Sequence, residues 1–464
     1  MNSFISCVPL TRLPSRIKTY KLTEIGRAGR NGEDAIARAI LIEEDAVAQN
    51  SLSHSNGCSK SQIAKFLTVV ETATAGIIQD IPRDVLENLE FSELDICVPV
   101  TESINMSDLR EETVETLLSI MEEDEFGNLL LVEGSMYDRC ILTLKRRELE
   151  EVPEQVAKCV LKCGIKLNSS TSNAQLEEFG GTALDKGFHA YAKGNWMFSV
   201  LRVAHLMGQG CQPRHVFAAL RRLECEGEIE VQLEPSKGKG FLTRLNKAAV
   251  AIFSKHVGAK KMGEEGRKEK VDGLAHALHE RMMQQEANCE RKIKDAFDTL
   301  FKLFKVSESS IAKAQDKGGA DFAEKARKFR GDIFAHVVDS YFCSPSAEKA
   351  TPNNDDEAEL LLGKVTVPTI CKAKMNESDL RRIARDVTNL RFDSRLENHN
   401  FVEGAVCMDD FDYAARASCN ILHGIDLPRQ PQSIWWGTQE WCAWRDYDYN
   451  DMLSLCQKVF GESS

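Results

Sequence analysis

The sequence of 464 residues lacks the features of a membrane-spanning chain or of a small disulfide-bonded scaffold. No run approaches the roughly 18 consecutive apolar residues that span a bilayer. The first residues, "MNSFISCVPLTRLPSRIK", have no basic lead before an apolar core, so they do not predict a secretory signal. No Cys-x-x-Cys pair occurs among the 15 cysteines, which favours reduced, mostly buried thiols in a cytosolic or nuclear protein.

An excess of positive charge is also missing. The chain has 59 Lys and Arg against 71 Asp and Glu, a formal net charge of −12. This balance argues against a uniformly basic nucleic-acid-binding surface, and it leaves local basic patches open. A GxxxxGK[ST] loop is absent as well, so the chain lacks the loop that holds nucleotide phosphates in P-loop enzymes.

The clearest local pattern lies at about 188–247 and predicts a helix-turn-helix with a β-wing. "NWMFSVLRVAHLMG" has helical periodicity, "QGCQP" predicts a turn, and "RHVFAALRRLECEGEI" predicts a second helix that ends near Gly227. "EIEVQLEPSKGKGFLTRL" predicts two strands joined by a Pro/Lys/Gly tip. Together these elements predict a winged helix.

Cations on the predicted second helix and wing are the candidate DNA contacts. They are Arg214, His215, Arg221, Arg222, Lys237, Lys239 and Arg244. Such side chains contact phosphates and give a salt-dependent affinity. The alternative is a winged helix that binds protein, which the neighbouring Glu224, Glu226, Glu228 and Glu230 favour.

Other segments predict helices with apolar faces. "SQIAKFLTVVETA" has Ile63, Phe66, Leu67 and Val70 at helical spacing, after a strand and an acidic turn in "AIARAILIEEDAVA". Ser107 is a predicted N-cap for "SDLREETVETLLSIMEED", and two strand-like runs, "FGNLLLVEG" and "YDRCILTLKR", follow. We interpret this helix and these strands as half of a first winged-helix-like module.

A long amphipathic segment follows the predicted winged helix. Its basic residues favour either a surface that follows phosphates or a solvated helix face; they are Lys255, Lys260, Lys261, Arg267, Lys268 and Lys270. The tail contains an aromatic run from Trp435 to Tyr449, which predicts the core of a small helical unit, with base stacking as the alternative. His54, Cys58 and Cys97 supply at most three zinc ligands where a structural site needs four, so we expect no zinc.

"EIGRAGRNGEDA" near the front resembles motif VI of superfamily-two helicases. The resemblance implies that Gly26, Arg27, Gly29 and Arg30 face a nucleotide, with Arg27 and Arg30 stabilising the charge that develops at the γ-phosphate of ATP. Thr23 stands where that family has Gln. The alternative is a surface turn with solvated arginines.

Later segments narrow the resemblance. In order, "NMSDLREETVETLLSIMEED", the predicted winged helix, "CERKIKDAFDTLF" and "NILHGIDLPRQPQSIWWGTQEWCAWRDYDY" resemble the C-terminal half of a RecQ-family ATP-dependent DNA helicase of the type-four, Rothmund–Thomson branch. The resemblance implies a 3′–5′ DNA helicase of replication, repair and recombination, located in the nucleus, with the cytoplasm as a second location. It also implies ATP and Mg²⁺ as cofactors of the full-length family.

Without a P-loop or a metal-binding acidic motif, this chain alone is not expected to bind ATP or Mg²⁺ or to hydrolyse ATP. The early position of the motif predicts a truncated product or an incomplete gene model. The expected partners are forked or single-stranded DNA and replication and repair proteins, with no membrane. The rival hypothesis is a winged-helix module that binds protein and has no DNA role.

The predicted fold is mostly α with small β wings: a remnant of a RecA-like α/β lobe, then winged-helix modules and a helical C-terminal domain. The predicted divisions are a RecA-like remnant (1–50), a helical region with the first module (51–165), a linker (166–184), a winged helix (185–250), long basic helices (251–343), a linker (344–375) and an aromatic-rich helical domain (376–464).

Overall fold

The computed structural model describes residues 4–5, 36–37, 43–79, 93–145, 148–167, 195–208, 210–233, 238–305, 375–391, 393 and 410–461. The fold in this part of the chain is mostly helical with small sheets. The helices are α1 (Glu43–Ser53), α2 (Lys60–Ile78), α3 (Val100–Ser107), α4 (Glu111–Met121), α5 (Gln155–Cys163), α6 (Val200–Met207), α7 (Pro213–Cys225), α8 (Lys247–Phe253), α9 (Lys255–Lys305), α10 (Glu377–Arg391), α11 (Phe411–His423), α12 (Gln432–Trp435) and α13 (Tyr449–Gly461). The strands are β1 (Phe4–Ile5), β2 (Ile36–Ala37), β3 (Glu93–Pro99), β4 (Leu130–Tyr137), β5 (Arg139–Leu144), β6 (Ile165–Leu167), β7 (Asn195–Ser199), β8 (Ile229–Leu233) and β9 (Lys239–Asn246).

The first unit consists of α2, β3, α3, α4, β4 and β9. Its antiparallel sheet has the order β3-β9-β4, so β9 is the central strand. Alternate residues of β3 (Leu94, Ile96 and Val98) face a core that α2, α4 and the middle of α9 also fill. Helix α2 begins at Ser59, whose side chain caps it together with Gln62.

The second unit consists of β5, α5, β6, β7, α6, α7 and β8. Its antiparallel sheet has the order β6-β7-β5-β8, and its core is separate from that of the first unit. Ser199 is the N-cap of α6, and its hydroxyl accepts the backbone N–H of Arg202. Cys159 and Cys163 are buried in this core, as their apolar surroundings predict.

The two units exchange a strand, which corrects the predicted β-wing. β8 pairs with β5, and β9 pairs with β3 and β4, so β8 and β9 do not form a hairpin. The chain likewise crosses from β4 in the first sheet to β5 in the second sheet at Asp138, whose N–H donates to the Gly238 carbonyl oxygen at 2.8 Å. Nearness in sequence predicts a hairpin, but pairing with β3 over seven residue pairs places β9 in the first unit.

A glycine explains why β9 fits beside β3. A Cβ atom at Gly240 would lie 2.8 Å from the Val98 carbonyl oxygen and closer still to Cys97 Sγ. A residue with a side chain at this position would therefore have to displace β3 or the Cys97 side chain.

The C-terminal helices form a third core and pack on the first unit. Helices α10, α11 and α13 bury Trp435, Trp444 and Tyr449. Asp108, in the turn between α3 and α4, accepts hydrogen bonds from the Tyr413 hydroxyl and the Arg429 N–H, both at 2.7 Å. Burial raises the pKa of Asp108 to about 6 although these hydrogen bonds oppose the shift.

Several element predictions are wrong at their boundaries. Ser107 ends α3 and does not cap α4, which begins after Arg110, and Asp108 between the two helices is in the left-handed region at φ 54°. Residues 195–199 form β7 because they pair with β5, although their apolar run has helical spacing. The predicted acidic turn, with Glu43, Glu44 and Asp45, lies in α1, and residues 166 and 167 of the predicted linker belong to β6.

The predicted RecA-like remnant falls almost wholly outside the described residues. Strands β1 and β2 form a two-residue parallel pair there. Gly26, Arg27, Gly29 and Arg30 lie outside the part of the chain that the structure describes, so their facing a nucleotide stays a prediction. No helix within the described residues is long and apolar enough to cross a bilayer.

Candidate nucleic-acid interface

Helix α7 has a buried apolar face and an exposed basic face. Pro213 at its first turn has a φ angle suited to a helix start. Val216, Leu220 and Leu223 are buried at helical spacing against the second core. Phe217 and Ala219 pack beside them at the edge of the same core. The opposite face of α7 points to solvent and has four of the predicted DNA contacts: Arg214, His215, Arg221 and Arg222.

His215 has a structural role in addition to its exposure. The backbone N–H of Gln212 donates to His215 Nδ1 at 3.1 Å, so Nδ1 is an acceptor and Nε2 is the nitrogen that can donate to a ligand. This contact fixes the imidazole at the N-terminal end of α7. The helix dipole places partial positive charge at that end, but Pro213 has no N–H and the His215 N–H already donates to the Gln212 carbonyl oxygen at 2.8 Å.

Arg222 contacts Glu154 in a bridge of 3.2 Å between Nη2 and Oε2. The arginine side chain remains 61% exposed. Exposed bridges of this kind contribute about 0–1 kcal/mol, so a phosphate can compete with Glu154 for the guanidinium. Arg214 and Arg221 are exposed on the same helix.

The acidic residues that follow α7 are partly used within the unit. The Glu224 carboxylate accepts the Val231 N–H at 3.2 Å. Glu230 pairs with Lys145, and the hydrogen bond from that lysine lowers the pKa of Glu230. These contacts direct two carboxylates toward β8 and β5, and they weaken the argument that this stretch repels nucleic acid.

Lys239 and Arg244 do not join the cations of α7, because both lie on β9 in the first unit. Lys239 pairs with Glu111 at the start of α4, and the hydrogen bond with that carboxylate raises the lysine pKa. Arg244 lies between Asp95 (2.8 Å) and Glu133 (2.5 Å). Lys237 lies outside the described residues. The predicted set therefore divides into three arginines and a histidine on α7 and two cations that bind carboxylates of the first unit.

The long helix α9 and the aromatic tail are mostly structural where they are described. Arg267 is buried and its Nη1 lies 2.6 Å from Glu71, whereas Lys268 and Lys270 are exposed. The side chains of residues 255–262 lie outside the described part. Among the tail aromatics, Trp444 Nε1 donates to Asp386 at 3.0 Å, and Trp436 is 70% exposed.

A buried polar cluster joins α1, α9 and α11. Arg416 Nη2 lies 3.0 Å from Glu286 Oε2, and His54 Nδ1 lies 2.6 Å from Glu286 Oε1. The His54 ring stacks on Tyr449 at 4.0 Å between centroids. Burial alone would raise the pKa of Glu286, but Arg416 and His54 outweigh burial and lower it. Motif reasoning missed this cluster; a lone arginine in the otherwise buried helix α11 was the available signal.

The residues considered for zinc are used in other contacts. His54 binds Glu286, and Cys97 is in β3 beside Gly240. Within the described ranges, no group of three or more His, Cys, Asp or Glu side chains is arranged to hold a metal ion. Comparison of the chain with protein-family models, with curated proteins and with solved structures found no match.

Proposed function

We propose that the chain binds DNA through the exposed face of α7. The observation that carries this proposal is that α7 exposes Arg214, His215, Arg221 and Arg222 on a helix that is held to its core by Val216, Leu220 and Leu223. Guanidinium groups suit phosphate oxygens because they offer planar, paired donors. Contacts of this kind bind the DNA backbone and give little sequence specificity.

The units fit winged-helix modules with exchanged third strands. Each unit has a helix, a strand, two further helices and a second strand in that chain order, and the second unit has the short strand β6 in addition. The strand that continues from the other unit, β9 after β8 and β5 after β4, lies in the interior of each sheet. The second of the two central helices is the usual DNA-reading element of such modules. In the second unit that helix is α7.

The full proposal is a DNA-binding portion of a RecQ-type 3′–5′ DNA helicase that acts in the nucleus. The order of sequence segments that resembles this family supports it, together with the basic helix. Because the sequence lacks a P-loop, ATP hydrolysis is not proposed for this chain alone. Forked and single-stranded DNA are the proposed ligands.

Charge reversal of α7 tests DNA binding. Arg221→Glu/Arg222→Glu should lower the affinity for forked DNA by about 100-fold at low salt and flatten the dependence of log K on log salt by about two. The matched control is Arg381→Glu/Arg385→Glu, two exposed arginines on α10 outside both units. Equal losses in the two variants, or no binding by the unmodified chain at low salt, would contradict the proposal.

Protein binding is the second candidate function. The acidic exposed face of α4 and the 70% exposed Trp436 favour it. In that case the α7 reversal leaves DNA affinity unchanged. Fluorescence anisotropy with labelled DNA therefore separates the two candidates.

A further inference from the structure

The two units correspond closely in their arrangement along the chain. Helices α3 and α6 both have eight residues, and they begin at Val100 and Val200. The exchanged strands β5 and β9 begin at Arg139 and Lys239. Equivalent elements are therefore about 100 residues apart.

The strand exchange relates the units by an approximate two-fold rotation. β4 and β5 run antiparallel to β9 and β8, and the two crossovers meet at the Asp138–Gly238 hydrogen bond. An antiparallel strand pair has local two-fold symmetry about such a point. Side chains also join the two units: Arg139 pairs with Glu102 at 3.3 Å, and His205 Nε2 lies 3.2 Å from the Asp95 carbonyl oxygen.

Helix α4 therefore occupies in the first unit the position that α7 occupies in the second. The apolar faces are alike, since α4 buries Val114, Leu117 and Leu118 as α7 buries its own apolar residues. The charged residues have opposite sign. Glu112 and Glu115 are exposed on α4, and Glu111 beside them binds Lys239.

We propose that Glu112 and Glu115 are specificity-determining residues that keep DNA off the first unit and confine it to α7. This inference rests on the proposed DNA binding. Two-fold related helices of dimeric DNA-binding proteins contact grooves about 34 Å apart. We extend this spacing to α7 and α4 within one chain, so that a long duplex held at α7 passes α4. Carboxylates there repel phosphates within a Debye length of about 10 Å at 0.1 M salt.

Neutralisation of the two carboxylates tests the proposal on duplexes of two lengths. Glu112→Gln/Glu115→Gln should raise the affinity for a duplex of about 30 base pairs by roughly threefold and leave a duplex of about 12 base pairs unchanged, because only the longer one reaches α4. Glu112→Lys/Glu115→Lys should raise the long-duplex affinity by roughly tenfold and steepen its salt slope by about two. The control is Glu265→Gln/Glu269→Gln, which makes the same charge change on exposed residues of α9.

Two results would overturn the proposal: no gain on the long duplex, or the same gain in the α9 control. Circular dichroism of each variant checks that α4 remains folded. Failure of this inference is distinguishable from failure of the proposed function. In the first case the unmodified chain binds DNA and loses affinity on α7 reversal, and in the second case it does neither.

Discussion

The first and second units share an order of elements apart from the short strand β6 of the second unit, and they differ in what surrounds their central pair of helices. In the first unit, the turn between α3 and α4 is covered by the C-terminal helices, and Asp108 within it is fully buried. In the second unit, the corresponding segment contains Gly208 and Gly210, both at positive φ, and it leads into the exposed basic face of α7. The buried positions of the two units support a similar arrangement of helices, while the exposed positions differ: the first unit is packed against the C-terminal helices, and the second exposes basic side chains.

The largest expected effect on stability comes from β9, the central strand of the first sheet, which continues along the chain from β8 of the second sheet. Gly240→Ala should lower the free energy of unfolding by about 3 kcal/mol, because the new methyl group would overlap the Val98 carbonyl oxygen and Cys97 Sγ. Both units should lose stability in a single transition, since β9 continues from β8. The matched control is Gly76→Ala in α2, where a Cβ meets nothing within 4 Å and a helix should gain about 0.5–1 kcal/mol. Urea denaturation measures the free energy of unfolding of both variants. Separate unfolding transitions for the two units would argue against their coupling through the continuous β8–β9 chain.

The pH dependence of stability tests the packing of the C-terminal helices on the first unit. Burial lowers the pKa of His423 to about 3, and the nearby His54 lowers it further while Asp446 opposes the shift. The folded state then binds fewer protons than the unfolded state between about pH 3 and 6.5, so this contribution to stability is lost as the pH falls through that window. Between pH 6.5 and 5 the wild-type chain should lose about 2 kcal/mol more than His423→Gln.

Asp108 changes the pH dependence of stability in the opposite direction. The histidine contribution is therefore measured as the difference between the wild-type chain and His423→Gln. The Asp108 pKa of about 6 lies above the usual carboxyl value, so the contribution of Asp108 falls as the pH rises from about 4 to 6. Denaturation curves at pH 6.5 and 5 for both chains isolate the histidine contribution. Equal losses in the two chains would show that His423 can be protonated without cost.

A smaller effect on stability is expected at Asp138, the residue where the chain crosses from β4 to β5. Asp138 Oδ1 accepts the Leu201 N–H at 2.8 Å in the first turn of α6. Asp138→Ala should cost about 1.5 kcal/mol because it leaves a backbone donor without this acceptor. Asp138→Asn retains an acceptor oxygen and should cost less. Thermal melts rank the two variants, and a reversed order would mean that the carboxylate does not support α6.

The smallest effect separates binding from stability on α7. Arg222→Ala removes only the bridge to Glu154, so the free energy of unfolding should change by about 0.5 kcal/mol or less. The DNA salt slope should flatten by about one if Arg222 contacts a phosphate. Arg381→Ala on α10 is the control. A large loss of stability would assign Arg222 to the fold instead of the binding surface.

Local periodicity predicts much of the helical fold. The buried positions Ile63, Phe66, Leu67 and Val70 of α2 follow from their spacing, and so does the exposed basic face of α7. The prediction of α7 succeeds because a helix satisfies its backbone hydrogen bonds within a single segment. Its apolar stripe is therefore visible without knowledge of the rest of the chain.

Local periodicity does not predict strand partners or buried ion pairs, because the residues that contact each other are far apart in the sequence. β9 pairs with β3 about 150 residues earlier, and the Arg416–Glu286 contact joins residues 130 apart. Lys239 and Arg244 have the residue types of DNA contacts, and carboxylates from β3, β4 and α4 bind them in the folded chain. Only the tertiary arrangement reveals these partners.

Because β9 is the central strand of the first sheet, β3 and β4 can complete their pairing only late in synthesis. β3 and β4 are complete once residue 137 has been made, but their common partner ends at Asn246. At translation rates of about 5–20 residues per second, the two strands wait roughly 5–20 s for it. During that interval, both present unpaired edges to other chains, so slow translation or a pause after β4 favours aggregation of the nascent protein.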